Sequence, residues 1–237
     1  MIAQTNNEKQ DQSQGSYSFY FIILVAVFIT CLITANITAV KLISFLGLIL
    51  PSGVLIFPLN YIAGDVLTEV YGFNLTRRVI WLGFLCNLLV VIAVWLGQIF
   101  PHPSFWDGQQ AYERILGYTP RLLLASFLAY LVGEFSNSIV LAKMKVATQG
   151  RWLWTRTLGS TLVGQGFDSF VFIALAFAGT MPTSALVKVV ITQWLVKFLY
   201  EVLVTPLTYL VVNFLKRKER LDVFDRQTRF NPLILSR

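Results

Sequence analysis

Apolar runs fill nearly all of the chain between Tyr20 and Leu215, and each is close to the ~20 residues that a helix needs to cross a bilayer. Only 13% of the 237 residues are charged, whereas soluble domains have roughly 25%. The mean hydropathy is +0.66, and the runs leave no room for a soluble catalytic or nucleotide-binding domain. We therefore predict an all-α integral membrane protein with six transmembrane helices.

Polar or basic connections separate the six predicted spans. The bounds of these spans are close to Tyr20–Phe45, Leu50–Gly72, Arg77–Phe100, Arg121–Ala142, Thr157–Gly179 and Ser184–Phe214. Together they make residues 19–215 one transmembrane domain. Residues 1–18 are predicted to be a disordered cytoplasmic tail and residues 216–237 a basic cytoplasmic tail.

Lysine and arginine are shared unevenly between the connections. One side collects Lys9, Arg77, Arg78, Lys143, Lys145, Arg151, Arg156 and the basic C-terminal tail, and the other has Lys41, Arg114, Arg121 and Lys188. Because cytoplasmic connections carry the excess of these residues, both termini are predicted to be cytoplasmic. The net charge of +7 has the same origin, so it does not indicate binding of nucleic acid.

Charged side chains within the spans are a second constraint, because each costs roughly 2.5–3.5 kcal/mol near the membrane centre unless it faces a cavity or a partner. The acids outnumber the bases, so pairing within the chain cannot neutralise all of them; they are Asp65, Glu69, Glu134, Asp168 and Glu201, against Lys41 and Lys197. Glu69 and Lys41 lie near span ends and are interpreted as structural. The deeper charged residues are interpreted as a functional site; they are Glu134, Asp168, Lys197 and Glu201. Lys197 is expected to pair with Glu201, one turn along, or with an acid on a facing helix.

Two spans carry polar stripes at helical spacing. In the second span, Asp65 and Glu69 are four residues apart and share a face with Tyr61. Two like charges at this spacing repel each other, so we expect a proton, a cation, a donor-rich ligand or a basic residue beside them. In the last span, Gln193, Lys197 and Glu201 follow one another at four-residue intervals.

An intramembrane enzyme is the least favoured alternative. Asp65 and Asp168 could form an aspartyl protease dyad, but the sequence Ile62-Ala63-Gly64-Asp65 lacks the first glycine of the G-x-G-D motif. The chain has one histidine and no H-E-x-x-H motif, which argues against zinc chemistry and a serine triad. No phosphate-loop motif is present. We therefore predict no enzymatic activity, no metal and no cofactor.

Four motifs extend along the chain: Phe57–Gly72, Asn137–Lys145, Arg156–Thr161 with Gln165 and Asp168, and Lys197–Glu201 with Thr205-Pro206. Together they resemble the motifs of one family, the VUT/YhhQ-type queuosine precursor transporters. The resemblance implies a carrier of the bacterial inner membrane that takes up 7-cyano-7-deazaguanine or 7-aminomethyl-7-deazaguanine for the queuosine modification of tRNA.

The same resemblance implies distant kinship with the six-span substrate-binding components of energy-coupling-factor vitamin transporters. In those proteins, small residues of the first span contact a shared partner, which would give Ala35 and Ala39 such a role. The alternative function is therefore a binding component that needs a separate energising partner. The expected partners are a deazapurine and the lipid bilayer, and the sequence leaves homo-oligomer formation and the coupling ion open.

The chemistry of a 7-deazaguanine suggests which side chains would bind it. Its N1–H and exocyclic amine can both donate to one carboxylate, for which Asp168 is predicted, and its carbonyl oxygen needs a donor. Its flat ring suits stacking on an aromatic side chain, for which Phe57, Tyr61, Phe172, Trp194 and Tyr200 are candidates. The full set of predicted site residues is Asp168, Gln165, Glu134, Asn137, Asp65, Asn60, Tyr61, Lys197, Glu201 and Tyr200.

Overall fold

A computed structural model describes residues 17–45, 48–117, 120–180 and 182–234. In this part of the chain the α-helices are α1 (Phe19–Thr38), α2 (Phe57–Val66), α3 (Phe73–Ile99), α4 (Gln109–Leu116), α5 (Pro120–Ala147), α6 (Leu153–Phe177) and α7 (Thr183–Glu219). A short antiparallel hairpin, β1 (Leu42–Phe45) and β2 (Leu48–Pro51), follows α1, and a 3-10 turn (Ser52–Leu55) leads into α2. The predicted all-α class is confirmed, with this hairpin as a small addition.

Within the described residues, five helical segments are long and apolar enough to cross a membrane. They are α1, α3, α5 (taken together with the preceding α4), α6 and α7. The second predicted span is different, because the hairpin strand β2 and the 3-10 turn replace its first part with non-α structure. Pro58 lies in the first turn of α2, where the missing N–H of proline is tolerated. The predicted second span, Leu50–Gly72, is therefore α-helical only from Phe57 to Val66 and ends in a π-helical turn, Leu67–Tyr71.

The end of α1 packs against its own chain. Ala35 is completely buried, and a Cβ on Gly53 would lie 2.5 Å from the Ala35 carbonyl oxygen and 3.3 Å from the Ala39 Cβ. The absence of a side chain on Gly53 thus allows the 3-10 turn to approach α1 closely at Ala35 and Ala39. The predicted first span is also shorter than expected, since α1 ends at Thr38. The predicted disordered tail lies outside the described residues except for Tyr17 and Ser18, whose hydroxyl caps α1.

A π-helical turn, Leu67–Tyr71, continues α2 and is buried at every residue. Its wider winding interrupts the α-helical register between Asp65 and Glu69. The two carboxylates consequently have different partners, Asn137 for Asp65 and Arg156 for Glu69. Of the expected neighbours, a basic residue from another helix is found beside Glu69, whereas Asp65 is bonded to an amide.

Helices α5 and α6 form the most extensive helix contact, and glycines bring their backbones together. A Cβ on Gly164 would lie 2.7 Å from the Asn137 Cβ and 3.0 Å from the Gly133 carbonyl oxygen. A Cβ on Gly133 would lie 2.8 Å from the Asp168 Cβ. Small residues at a membrane helix interface permit this close approach, which here sets the distance between the polar side chains of the two helices.

We expect Gly164→Ala to destabilise the protein by about 1–3 kcal/mol, because the added methyl group would overlap the backbone of α5. The matched control is Gly166→Ala on the same helix, where the nearest atom, Nε1 of Trp194, would be 3.5 Å away. Both changes give the same gain in helix propensity. Melting temperatures of the two purified variants measure the difference, and equal melting temperatures would contradict the close packing of α5 and α6.

The chain that follows α7 turns back over the end of the helix bundle. Asp225 accepts a hydrogen bond from the backbone N–H of Phe73 at 3.0 Å and so caps the start of α3. Arg77 donates to the carbonyl oxygen of Asn231 at 2.9 Å. Gly72 has a φ of +82°, and a Cβ there would lie 2.7 Å from Cγ1 of Val223. The C-terminal tail, residues 220–234, is therefore part of the folded structure and closes this end of the bundle.

Candidate functional site

A cavity of about 780 Å³ lies in the half of the bundle away from the C-terminal tail. It is lined by the second halves of α1, α3 and α6, the first halves of α2, α5 and α7, and the end of α4. Small-molecule sites are typically ~300–1,000 Å³ in volume. The polar and aromatic side chains that line it include Phe57, Asn60, Tyr61, Tyr130, Glu134, Asp168, Phe172, Gln193 and Lys197.

Half of the predicted site residues line this cavity: Asn60, Tyr61, Glu134, Asp168 and Lys197. The others do not line it. Asp65, Asn137, Gln165 and Glu201 are buried behind the cavity wall, and Tyr200 is half-buried on α7. Of the aromatic candidates, Phe57 and Phe172 line the cavity with Tyr61, whereas Trp194 donates to the backbone oxygen of Leu162 at 2.9 Å.

Glu134 places a carboxylate on the cavity wall. It is 4% exposed, and its Oε1 accepts a hydrogen bond from Nδ2 of Asn60 at 3.3 Å. Its Oε2 has no hydrogen-bond partner among the described residues. Buried acceptors normally have a partner, so this oxygen lacks a donor that the described residues do not supply.

Asp168 and Lys197 form an ion pair beside Glu134. Lys197 Nζ lies 2.5 Å from Asp168 Oδ2 and 5.2 Å from the centre of the Phe57 ring. Of the two predicted partners of Lys197, Glu201 is therefore wrong, and the acid on a facing helix is right. The side chains of Lys197 and Asp168 keep 11% and 20% exposure, so this pair retains access to the cavity, whereas Glu201 is 2% exposed.

Two aromatic rings of α2 form an apolar surface in the cavity. The rings of Phe57 and Tyr61 are nearly parallel, with 18° between their planes and 6.2 Å between their centres. Flat ligands stack favourably on such rings. Gln193 adds an amide to the same cavity, and its Oε1 has no partner in the described part of the chain. Gln193 was absent from the predicted site, although the four-residue stripe of the last span includes it.

A second polar layer lies behind the cavity wall. Asp65 is completely buried and accepts a hydrogen bond from Nδ2 of Asn137 at 2.8 Å. Glu201 is almost as deeply buried, and the carboxyls of Asp65 and Glu201 interact electrostatically. This layer holds acids that do not line the cavity.

A third group, the Glu69 cluster, lies at the end of the bundle that the C-terminal tail covers. Arg156 binds both carboxylate oxygens of Glu69, at 2.8 Å from Nε and 2.7 Å from Nη2. Lys216 contributes a contact of 2.6 Å to Glu69. Lys145 Nζ lies 3.7 Å from Glu69 and 2.6 Å from Asp222 of the tail, which also pairs with Lys216 at 2.9 Å.

Asp222 joins the tail to this cluster. Burial favours its neutral form, but hydrogen bonds from Lys145 and Lys216 outweigh burial and lower the pKa of Asp222. A carboxyl whose pKa is lowered by folding stabilises the fold above its usual pKa and loses that effect as the pH falls. We therefore expect the tail contact to weaken in acid.

Comparisons with known proteins agree on one family. The family model described as "putative vitamin uptake transporter" matches residues 51–211. The "probable queuosine precursor transporter" of Bacillus subtilis (strain 168) is 33% identical over 190 residues, which cover 79% of this chain and 82% of that protein. The "queuosine precursor transporter" of Escherichia coli (strain K12) is 28% identical over 154 residues, or 65% of this chain and 67% of that protein.

A third similar protein, the "probable queuosine precursor transporter" of Haemophilus influenzae (strain ATCC 51907 / DSM 11121 / KW20 / Rd), is 26% identical over 230 residues, covering 93% of this chain and 95% of that protein. No solved structure matches the chain. The family match includes α2, α3, α5, α6 and most of α7, and therefore Glu134, Asp168 and Lys197 of the cavity. This chain is a multi-pass membrane protein and belongs to that family of vitamin uptake transporters.

Proposed function

We propose that this protein takes up a queuosine precursor, 7-cyano-7-deazaguanine or 7-aminomethyl-7-deazaguanine, across the bacterial inner membrane. The names of its relatives support this substrate class. The observation that carries the proposal is the cavity with a carboxylate, an ion pair and two parallel aromatic rings on one wall. These groups suit a flat heterocycle with several donors and one carbonyl oxygen.

In the proposed complex, Glu134 accepts the N1–H and the exocyclic amine of the deazaguanine. Its Oε2 has no partner among the described residues, so ligand binding would satisfy it rather than compete with a protein donor. Lys197 donates to the ligand carbonyl while Asp168 holds its ammonium group in place. Phe57 and Tyr61 stack on the ring. Asp168, the predicted recognition carboxylate, thereby becomes a residue that orients Lys197.

The proposed orientation puts the tail and the Glu69 cluster in the cytoplasm and the opening of the cavity outside. The excess of basic residues at the tail end supports it. A cysteine introduced at the exposed position Gln110 of α4 should then react with an impermeant reagent added outside whole cells. Reaction only after the cells are opened would reverse the orientation.

Uptake into proteoliposomes that contain only this protein tests the proposed function. We expect time-dependent entry of labelled 7-cyano-7-deazaguanine, competition by 7-aminomethyl-7-deazaguanine and guanine, and little competition by adenine, whose corresponding edge has no N1–H. Binding without entry would instead indicate a component that needs an energising partner. Chemical conversion of the deazapurine would indicate an enzyme, and neither binding nor entry would contradict the proposal.

A further inference from the structure

The layer behind the cavity contains acids without a compensating base. Asp65 is 0% exposed and Glu201 is 2% exposed. Lys197, four residues before Glu201 on the same helix, is paired with Asp168 instead. An ionised carboxylate in a low-dielectric interior is very unfavourable without a partner, and such groups become neutral instead. Each carboxyl therefore needs either a proton or another positive charge.

The helices around Asp65 do not provide that charge. Helix α2 packs on α1, α5, α7, the 3-10 turn and the π-helical turn. From these elements, the charged side chains that interact with Asp65 are Glu134 of α5, Glu201 of α7 and Glu69 of the π-helical turn, all of them acidic. Helix α1 and the 3-10 turn have no charged residues.

Helix α7 also packs on α6, so Glu201 has its own set of neighbours. The charged residues of α6 are Arg156 and Asp168, and both are engaged, Arg156 with Glu69 and Asp168 with Lys197. Lys145 and Lys216 are held in the Glu69 cluster as well. Arg77, the other buried base in the described part of the chain, donates to backbone oxygens of the tail. None of these bases is bonded to Asp65 or Glu201.

The hydrogen bonding of this layer shows independently that donors are missing. Asn137 donates to Asp65, which leaves Oδ2 of Asp65 and Oδ1 of Asn137 without partners among the described residues. Oε1 of Glu201 and Oε1 of Gln165 also have no hydrogen-bond partner in that part of the chain, and the side chain of Gln165 is 2% exposed. These atoms are all acceptors. A proton on a carboxyl converts one acceptor into a donor and so reduces this excess.

A metal ion is a poorer explanation than a proton. In the residues that the structure describes, no three acidic, cysteine or histidine side chains are arranged to hold a metal ion. We propose that Asp65 and Glu201 form the proton-carrying site of a proton-coupled carrier. Each of the two carboxyls holds a proton in the conformation seen here; one of these protons is taken up from outside, and its release into the cytoplasm accompanies release of the substrate.

This inference rests on the proposed function, and two assays in proteoliposomes separate them. The first assay is exchange of labelled for unlabelled 7-cyano-7-deazaguanine, which needs no driving force. The second is accumulation of the same neutral ligand when the outside is one pH unit more acidic and potassium with valinomycin holds the membrane potential at zero. With one proton per substrate, the expected accumulation is up to about tenfold.

We expect Asp65→Asn and Glu201→Gln to retain exchange and to lose accumulation. Glu113→Gln, on the exposed face of α4, is the matched control and should keep both. If either test variant fails to fold, the wild-type protein still tests proton coupling. Pyranine trapped inside the vesicles should report acidification when ligand is added outside. This signal does not depend on any substitution.

Several outcomes would overturn the inference. Wild-type exchange without accumulation or acidification would leave the carrier function intact and remove proton coupling. Accumulation driven by a sodium gradient in place of a pH gradient would assign the acids to a different ion. Accumulation that survives in well-folded Asp65→Asn and Glu201→Gln would move the proton site elsewhere. Absence of exchange in the wild-type protein would instead contradict the proposed function itself.

Discussion

Glu69→Gln is expected to lose most of its folded protein, at a cost of about 3–5 kcal/mol. The carboxylate of Glu69 is completely buried and is the common partner of Arg156 and Lys216. Removing its charge leaves an arginine that is 1% exposed without its ion pair. Since domains are typically stable by only ~5–15 kcal/mol, the yield of monodisperse protein from membranes should fall sharply.

The same substitution at an exposed site is the control. Glu113→Gln on α4 should leave yield and melting temperature unchanged, because Glu113 is exposed and exposed charges contribute little. The double variant Glu69→Gln with Arg156→Gln should recover part of the yield, since it no longer buries an unpaired guanidinium. A double variant that is no better than Glu69→Gln alone would show that the loss does not come from the stranded Arg156.

The helices could be predicted from the sequence because each apolar run must satisfy its own backbone hydrogen bonds inside a membrane. The predicted span Thr157–Gly179 and the observed α6, Leu153–Phe177, illustrate how closely this constraint determines a helix. This constraint determines the structure less closely where an apolar run contains Gly and Pro. The run Leu50–Gly72 therefore looked like one span, although its first part consists of the end of β2 and a 3-10 turn.

Which residues contact one another in the site was harder to predict than which chemical groups the site contains. A four-residue stripe places residues on one helix face but does not say which neighbour that face meets. Lys197 was therefore correctly expected to need an acid, yet the choice between Glu201 and Asp168 depended on how α6 packs against α7. The Glu69 cluster brings together residues from the π-helical turn, α5, α6, α7 and the tail. No periodicity within one segment could reveal such a group.

Glu134→Gln should weaken binding of a deazaguanine by roughly 10- to 150-fold, which corresponds to about 1.5–3 kcal/mol for hydrogen bonds to a charged group. Glutamine keeps the size of the side chain but replaces one acceptor oxygen with an amino group, which would face the ligand's donors. The fold should survive, because Glu134 has one hydrogen bond of 3.3 Å within the described structure and its Oε2 has no partner there. Ligand titration and a melting curve on the same purified variant measure both effects.

Asp168→Asn is the comparison that separates recognition from structure. It removes the partner of Lys197, so its melting temperature should fall, whereas that of Glu134→Gln should not. Adenine provides a second discriminator, because it lacks the N1–H that Glu134 accepts, and its weak binding should change little in Glu134→Gln. If the well-folded Glu134→Gln protein binds deazaguanine with unchanged affinity, Glu134 is not the recognition carboxylate. If it loses affinity for adenine and deazaguanine equally, Glu134 shapes the cavity without reading the guanine-like edge.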